Sequence, residues 1–378
     1  MAALPFYDSA AISALNDQAV ILLKLFGGKG YAREEPSILQ PAEIFLDRSG
    51  EEIRRRTFTL TDPSGDELAL RPDLTIPICK HAVDSGAKFP ARICYNGLAF
   101  RYQPNRPERP TQFFQAGVEL LGLADAAEGE KEVLGLSFDA MRAVGIQDFE
   151  LRFGDLALFG ALVDALELPS NWRDRLKRNF WRAGYVETLL KRLGEGSANM
   201  PDEGTASVMA SAKLKEYGSA PAAGRSHDEI AARYIDRVRE AAAIKLNPAI
   251  AGAIAKLSGI SGPVEEAMRE TKALLAAANI KLDGPLTAMD ARLKTIQSLG
   301  LDLSKVRFNA HFGRNMEYYT GFVFELWSTD AEGPVQVAGG GRYDTLMQSL
   351  GAPAPVSAIG CALRTERLLA ARKFAGVV

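Results

Sequence analysis

The sequence predicts an α+β fold: an antiparallel sheet built from both ends of the chain, with a helical segment inserted between. Three observations carry this. Residues 97–121, GLAFRYQPNRPERPTQFFQAGVELL, read as a strand, a loop rich in proline and arginine, and a returning strand whose polar and apolar residues alternate. From Leu156 to about Leu299 alternation vanishes, alanine and leucine dominate, and helical spacing recurs in Ile230–Ala243 and Val264–Ala277. After Leu303 alternation returns at Val306, Phe308, Ala310 and Phe312. The expected division is therefore a discontinuous core, 1–155 with 301–378, and a helical insertion, 156–300.

In chain order, Asp8 or Ser9 can cap a helix beginning near Ala10, with Ile12, Leu15, Ala19, Leu22, Leu23 and Phe26 at helical spacing and Gly27–Gly28 ending it. GGKGY at 27–31 lacks the Ser or Thr that a phosphate-cradling lysine loop requires, so it reads as a helix C-cap. Phe58–Leu60 and Leu68–Leu70 flank DPSGDE, a strong hairpin turn. Asp73 and Thr75 follow at a loop or helix start, where Asp73 can cap its own backbone or meet an ammonium group; Ile76 to Val83 continues as a helix on which His81 is structural. Residues 125–145 read as a helix and Phe149–Phe153 as a short strand. Thr320, Phe322, Phe324 and Leu326 alternate, Val335–Ala338 forms another strand that Gly339–Gly341 ends, and Leu346–Leu350 starts a helix. Within the insertion, 194–204 and 218–224 read as loops, and His227 beside one of them as solvated. No internal repeat is visible.

Composition narrows the function. With 378 residues, 47% of them hydrophobic, the chain can bury a large core. A net charge of −2 gives no global attraction to nucleic acid. The spacings of Cys79, Cys94 and Cys361 fit neither a zinc site nor a redox pair; they read as buried small hydrophobes in a reducing, cytoplasmic setting. The start, MAALPFYDSAAIS, has no basic n-region, and no apolar run reads as long enough to span a bilayer. No motif calls for a metal or a cofactor.

Gln115 and Glu119 lie an even number of residues apart and so share one face of their strand, with Arg101 on the same floor. Arginines at both ends of the loop, including Arg101 and Arg109, suit an anionic ligand because a guanidinium forks onto carboxylate or phosphate. FRYQPNRPERPTQFFQAGVE resembles motif 2 of the class II aminoacyl-tRNA synthetases in the version used by histidyl-tRNA synthetase. LRPDLT at 70–75 resembles that family's amino-acid-binding loop, and RNMEYYTGFVFE at 314–325 its histidine-specific motif. GGGRYDTL at 339–346 and IGCALRTERLL at 359–369 resemble its glycine-rich strand and motif 3. Pro36 to Phe45 loosely resembles motif 1, the dimer element. Several stretches in the right order are a specific signal where one alone is weak. The closest likeness is to the synthetase-like regulatory subunits of ATP phosphoribosyltransferase.

The resemblance implies the class II synthetase fold and a site for free L-histidine. Asp73, Thr75 and Gln115 would hold the ammonium. Arg314, with Gln115 as a further candidate, would take the carboxylate. Glu119, Tyr319 and Tyr343 would address the imidazole, and Arg101 and Tyr318 complete the set, although one of the adjacent tyrosines on a strand should point away. Each residue has a plainer reading: Glu119 as a solvated strand residue, the tyrosines as sheet packing, Arg342 and Asp344 as a surface pair worth little. The nucleotide side departs from the enzyme pattern. Gln103 stands in place of a carboxylate, Pro104 of a basic residue and Thr111 of an arginine. Arg364 stands where a small glycine beneath adenine is usual, which should obstruct nucleotide, while Arg109 and Arg367 retain some capacity for anions. The chain ends just after motif 3, leaving no room for an anticodon-binding domain, so tRNA binding is not expected. The family implies a non-catalytic partner of the short-form ATP phosphoribosyltransferase catalytic subunit, a homodimer within a hetero-oligomer, commonly an octamer. The competing expectation is a truncated histidyl-tRNA synthetase-like enzyme that activates histidine with ATP.

Overall fold

The computed structural model describes residues 5–46, 51–103, 109–165, 168, 170–179, 188, 248–312 and 318–377. The expectations for Pro104, Arg106, Ile230–Ala243, His227 and Arg314, and for the loops at 194–204 and 218–224, lie outside the described residues. Two compact units are present. One comprises Met1–Gly160, Ile260–Glu270 and Leu282–Val378; the other comprises Ala161–Gly259 and Thr271–Lys281.

The first unit is built on a nine-stranded sheet. Its strands are β1 (Ala32–Arg33), β5 (Ala91–Phe100), β6 (Gln112–Leu121), β7 (Glu150–Asp155), β8 (Ser261–Pro263), β9 (Val306–Asn309), β10 (Phe322–Asp330), β11 (Gly333–Arg342) and β12 (Ala358–Arg364). Their order is β1-β5-β6-β12-β11-β10-β7-β9-β8. A separate antiparallel sheet, β2-β4-β3, comprises β2 (Leu39–Pro41), β3 (Phe58–Thr61) and β4 (Glu67–Leu70). The fold is the α+β class expected, but the large sheet is mixed: β1 pairs with β5, and β7 with β9, in parallel. Parallel neighbours need long crossovers, and the segment between β7 and β9 is one; alternation alone cannot show direction. β8 lies within the segment read as a helical insertion, and three residues are too few to alternate visibly.

Local chemistry explains the element ends. Asp8 accepts from Ala11 N at 2.8 Å to cap the helix Ser9–Gly28, and Asp125 accepts from Ala127 N and Glu128 N to cap Ala126–Ala143. Asp62 accepts from Ser64 N and Asp66 N in the β3–β4 turn, where Gly65 takes φ +93°. Ser9–Gly28 is by length and composition apolar enough to cross a membrane, which the sequence reading missed. Its buried stripe is Leu15, Gln18, Leu22 and Phe26. Gln18 donates to Thr365 O at 2.8 Å and accepts from Arg372 at 3.2 Å, tying this helix to Thr365–Phe374. Ser9–Gly28 and Ala126–Ala143 pack on the β5, β6 and β12 region of the sheet, and Thr365–Phe374 on β6, β11 and β10.

The glycines of GGGR do not end β11; the strand runs through them to Arg342. A Cβ on Gly340 would meet Gly360 O at 2.2 Å, so glycine is what permits this pairing. Arg342 is not at the surface either. It is buried, and its guanidinium donates to Glu130 (3.2 Å), Asp344 (3.0 Å), Ser357 Oγ (3.1 Å) and Ala126 O (2.6 Å). Arg292 joins the network through Glu130 and Asp155, both at 2.9 Å, with its guanidinium 4.6 Å from the Phe322 ring centroid.

In the second unit, Leu168, Trp172, Leu176, Ile254 and Leu257 are buried apolar residues, and Lys177 pairs with Asp164 at 2.7 Å.

Candidate functional site

Residues opposite one another in neighbouring strands point to the same face of a sheet. The β5–β6–β12–β11 registers therefore place Tyr95, Gly97, Gln115, Gly117, Glu119, Gly339, Gly360, Ala362 and Arg364 on one face. Glycine and alanine clear the middle of this floor, where the long side chains are those of Tyr95, Gln115, Glu119 and Arg364. Three of the glycines have no room for a Cβ: it would approach Arg71 Nη2 at 2.5 Å from Gly97, Tyr95 Oη at 2.4 Å from Gly117, and Glu119 Oε2 at 1.7 Å from Gly360. The helix Thr75–Asp84 and the tyrosines 318, 319 and 343 complete a narrow recess of about 20 Å³, lined by Thr75, Arg101, Gln115, Glu119, the three tyrosines and Arg364 among others.

Glu119 is the centre of this recess. It is buried and accepts hydrogen bonds from Thr75 Oγ1 (2.7 Å), Tyr95 Oη (3.1 Å) and Tyr343 Oη. Burial raises its pKa from 4.5 to about 7 against the opposing pull of these three hydroxyls, with Asp73 adding a smaller rise. Burial and the Glu119 carboxylate hold Tyr95 and Tyr343 well above the usual phenol range, so both remain donors. Gln115 Nε2 donates to Tyr95 Oη at 3.3 Å.

Asp73 serves the helix and faces inward. Its Oδ1 accepts from Ile76 N at 3.2 Å, while Oδ2 is buried with no hydrogen-bond partner. Burial raises its pKa; Arg101, the Ile76 N–H and Arg364 pull it down. Arg101 donates Nε to Pro72 O at 2.6 Å. Arg101 and Arg364 both lie over the Phe113 ring, their guanidinium carbons 5.3 and 4.4 Å from its centroid.

The structure thus brings Thr75, Arg101, Gln115, Glu119, Tyr318, Tyr319 and Tyr343 together around one recess, with Asp73 buried beside them. Tyr318 and Tyr319 both line it. The expectation that one would point away assumed a strand, but both precede β10, so alternation does not apply to them. Their rings pack at 4.9 Å, and each contacts Tyr343, at 5.7 and 6.5 Å. Thr75 donates its hydroxyl to Glu119, and the same oxygen can still accept a hydrogen bond. Arg109 and Arg367 do not line the recess. Arg367 donates to Gln336 O at 3.1 Å, and its pKa is lowered first by burial and then by the neighbouring Arg109.

Sequence reasoning missed Tyr95 and the positive contribution of Arg364. Tyr95 has a faint signal, since it precedes Gly97 and Ala99 by even steps, but only pairing with Gly117 shows why a large ring fits there.

The chemistry of the lining suits a small zwitterion: the Glu119 carboxylate and hydroxyls on the floor, guanidinium groups at one end. Comparisons with known proteins agree with this geometry. The histidyl-tRNA synthetase family profile matches residues 7–203 and 204–368. A protein of Chelativorans sp. strain BNC1 named ATP phosphoribosyltransferase regulatory subunit is 34% identical over 368 residues, covering 94% of this chain and 97% of that one. One of the same name from Mesorhizobium japonicum is 35% identical over 374 residues, covering 94% and 98%. Among solved structures, an ATP phosphoribosyltransferase regulatory subunit/histidyl-tRNA synthetase from Bacillus halodurans superposes with a TM-score of 0.69 at 22% identity, covering 97% of this chain and 81% of that one. Histidyl-tRNA synthetase from Nostoc sp. PCC 7120 gives 0.62 at 13% identity, covering 99% and 75%. At such identities the structural likeness speaks for the fold, which is that of the class II synthetases. The sequence relationship over nearly the whole length goes further: this chain belongs to the family of ATP phosphoribosyltransferase regulatory subunits.

Proposed function

We propose that the chain is a regulatory subunit that catalyses no reaction itself. It activates a short-form ATP phosphoribosyltransferase catalytic subunit, which joins ATP to phosphoribosyl pyrophosphate in the first step of histidine biosynthesis, and it makes that step sensitive to L-histidine. Its setting is the cytoplasm, as a homodimer within a hetero-oligomer. The observation that carries this reading is the recess. The amino-acid-facing residues converge on Glu119, while Arg364 lines the same space in place of a small residue. In this reading Asp73 and Gln115 receive the ammonium, Glu119 with Tyr343 and Tyr319 the imidazole, and Arg314 is a candidate for the carboxylate. A buried polar ligand must find partners for each polar group or lose the cost of desolvating it.

Feedback requires histidine to favour one state of the complex over another by about 1–3 kcal/mol, roughly 5- to 150-fold in affinity. The test is reconstitution: phosphoribosyl-ATP formation by a purified catalytic subunit, with and without this chain, across a histidine titration. Activation that histidine reverses supports the proposal; a catalytic subunit indifferent to this chain removes it. The competing reading is a histidine-activating enzyme, favoured by the adjacent cations Arg109 and Arg367. It requires histidine-dependent ATP–pyrophosphate exchange by this chain alone.

A further inference from the structure

Thr320, Arg342 and Asp344 do not line the recess, yet they adjoin the tyrosines that do. Thr320 follows Tyr318 and Tyr319, while Arg342 and Asp344 flank Tyr343, whose hydroxyl donates to Glu119. Gly341 faces Gly360 on the floor, so the next side chain, Arg342, leaves from the opposite face of the sheet. There its guanidinium is anchored on Glu130, Ser357 Oγ and the Ala126 carbonyl. It also donates to Asp344 Oδ1 at 3.0 Å, and that same oxygen accepts from Ala358 N at 2.9 Å.

The backbone carries this anchoring to the tyrosines. Tyr343 N donates to Ala358 O at 2.8 Å, so Ala358 is tied both to Tyr343 and to the side chain of the residue after it. Thr320 is tied to the residues on either side of Tyr343: its N–H donates to Arg342 O at 2.8 Å, and its Oγ1 accepts from Asp344 N at 3.1 Å. Tyr319 lays its ring over Gly341, where a Cβ would come within 2.9 Å of two ring carbons. Tyr318 packs on both other rings, at 4.9 and 5.7 Å. The Tyr343 hydroxyl lies at the end of a long side chain, so a small turn of the backbone there carries it off the line to Glu119, and a hydrogen bond weakens steeply with distance and angle.

We propose that Arg342 and Asp344, with Thr320 as their link, are positioning residues for the recess: they fix the Tyr343 hydroxyl on Glu119 and hold Tyr318 and Tyr319 beside it. The pair that reads from sequence as a surface contact then has a task at the site without touching a ligand. The assignment stands on the geometry of the recess and does not depend on which ligand the recess receives.

The test is urea denaturation of the full chain from pH 4 to 9, on wild type, Y343F, T320V, D344A and D344N, and on T320V and D344A each combined with Y343F. Glu119 couples stability to pH, and the Tyr343 hydroxyl pulls its pKa down against burial. The other titratable groups that interact with Glu119, namely Asp73, Cys79, Tyr31 and Tyr95, are the same in every variant. Y343F should extend the pH-dependent fall in stability to higher pH by about one to two units, the worth of a hydrogen bond to a charged group. T320V, which changes no ionisable group, and D344A should move that window the same way by less. Neither should move it further in the Y343F background, where the bond is already gone. D344A and D344N both lose the carboxylate, but D344N keeps an Oδ1 acceptor and should restore most of the D344A shift. A merely structural role lowers stability alike at every pH, so T320V or D344A with an unmoved window overturns the assignment. Shifts that add to that of Y343F, or a Y343F window matching wild type, overturn it as well. Should D344A fail to fold, T320V and its double variant decide the matter on the same criteria.

Discussion

Gly360→Ala tests the geometry of the recess most severely. Gly360 is opposite Glu119 in the β6–β12 ladder. A methyl group there would sit 1.7 Å from Glu119 Oε2, 2.6 Å from its Cδ and 2.8 Å from Val118 O. The carbonyl belongs to the central ladder and cannot retreat without parting the strands, so the carboxylate must leave its place. Its departure strands the hydroxyls of Thr75, Tyr95 and Tyr343, which are buried around it. Overpacking a core costs about 1–3 kcal/mol, and a buried polar group left without a partner about 1–3 kcal/mol. Part of this is offset because a displaced carboxylate no longer bears its full burial penalty, so the net loss should be about 2–4 kcal/mol. Urea denaturation should show a lower midpoint with an unchanged slope, and calorimetry should show histidine binding lost. Gly252→Ala is the control: nothing lies within 4 Å of a Cβ there, and it sits inside the helix Pro248–Gly259, so the change should be neutral or stabilising by up to about 1 kcal/mol. A Gly360→Ala protein as stable as wild type, with histidine binding intact, would refute the placement of Glu119.

Other expectations follow from the same cluster. Glu119 has a folded pKa of about 7 against 4.5, so it binds more protons folded than unfolded between those values. Its contribution to stability therefore falls as pH rises from 4.5 to 7, by about 3 kcal/mol in all. E119Q should flatten that slope in urea titrations from pH 4 to 8, and an unchanged slope would rule out Glu119 as its source. Tyr95→Phe removes one donor to the charged form, so the pH-dependent loss should grow and extend to higher pH. Arg342→Ala leaves Glu130 and Asp344 short of a buried partner and should cost about 3–5 kcal/mol. A loss below about 1 kcal/mol in denaturant melts would return Arg342 and Asp344 to the standing of a surface pair.

Much of this was legible in the sequence where a local rule decides the outcome. The cap at Asp8, the helix over 125–145, the DPSGDE hairpin and the helix Val264–Ala277 follow from turn chemistry and periodicity that neighbours do not override. Even spacing placed Gln115 and Glu119 on one face, and they are. What escaped depends on partners far away in the chain. The glycines 339–341 looked like a strand end because intrinsic preference disfavours them in strands; contact with the Gly360 backbone reverses that preference. Arg342 looked exposed because, apart from Asp344, its partners Glu130, Ser357 and Ala126 come from elsewhere in the sequence. Tyr95 reads as one more apolar strand residue until the register sets it against Gly117. Likewise, no local pattern says that Arg101 and Arg364 share the ring of Phe113.

The central claim is that free L-histidine is received in the recess around Glu119. A crystal structure of the chain grown with L-histidine addresses it directly. The account predicts a single histidine there, its ammonium within hydrogen-bond distance of Asp73 Oδ2 and its imidazole against Glu119. Histidine bound elsewhere on the chain, with this floor unoccupied, would contradict it.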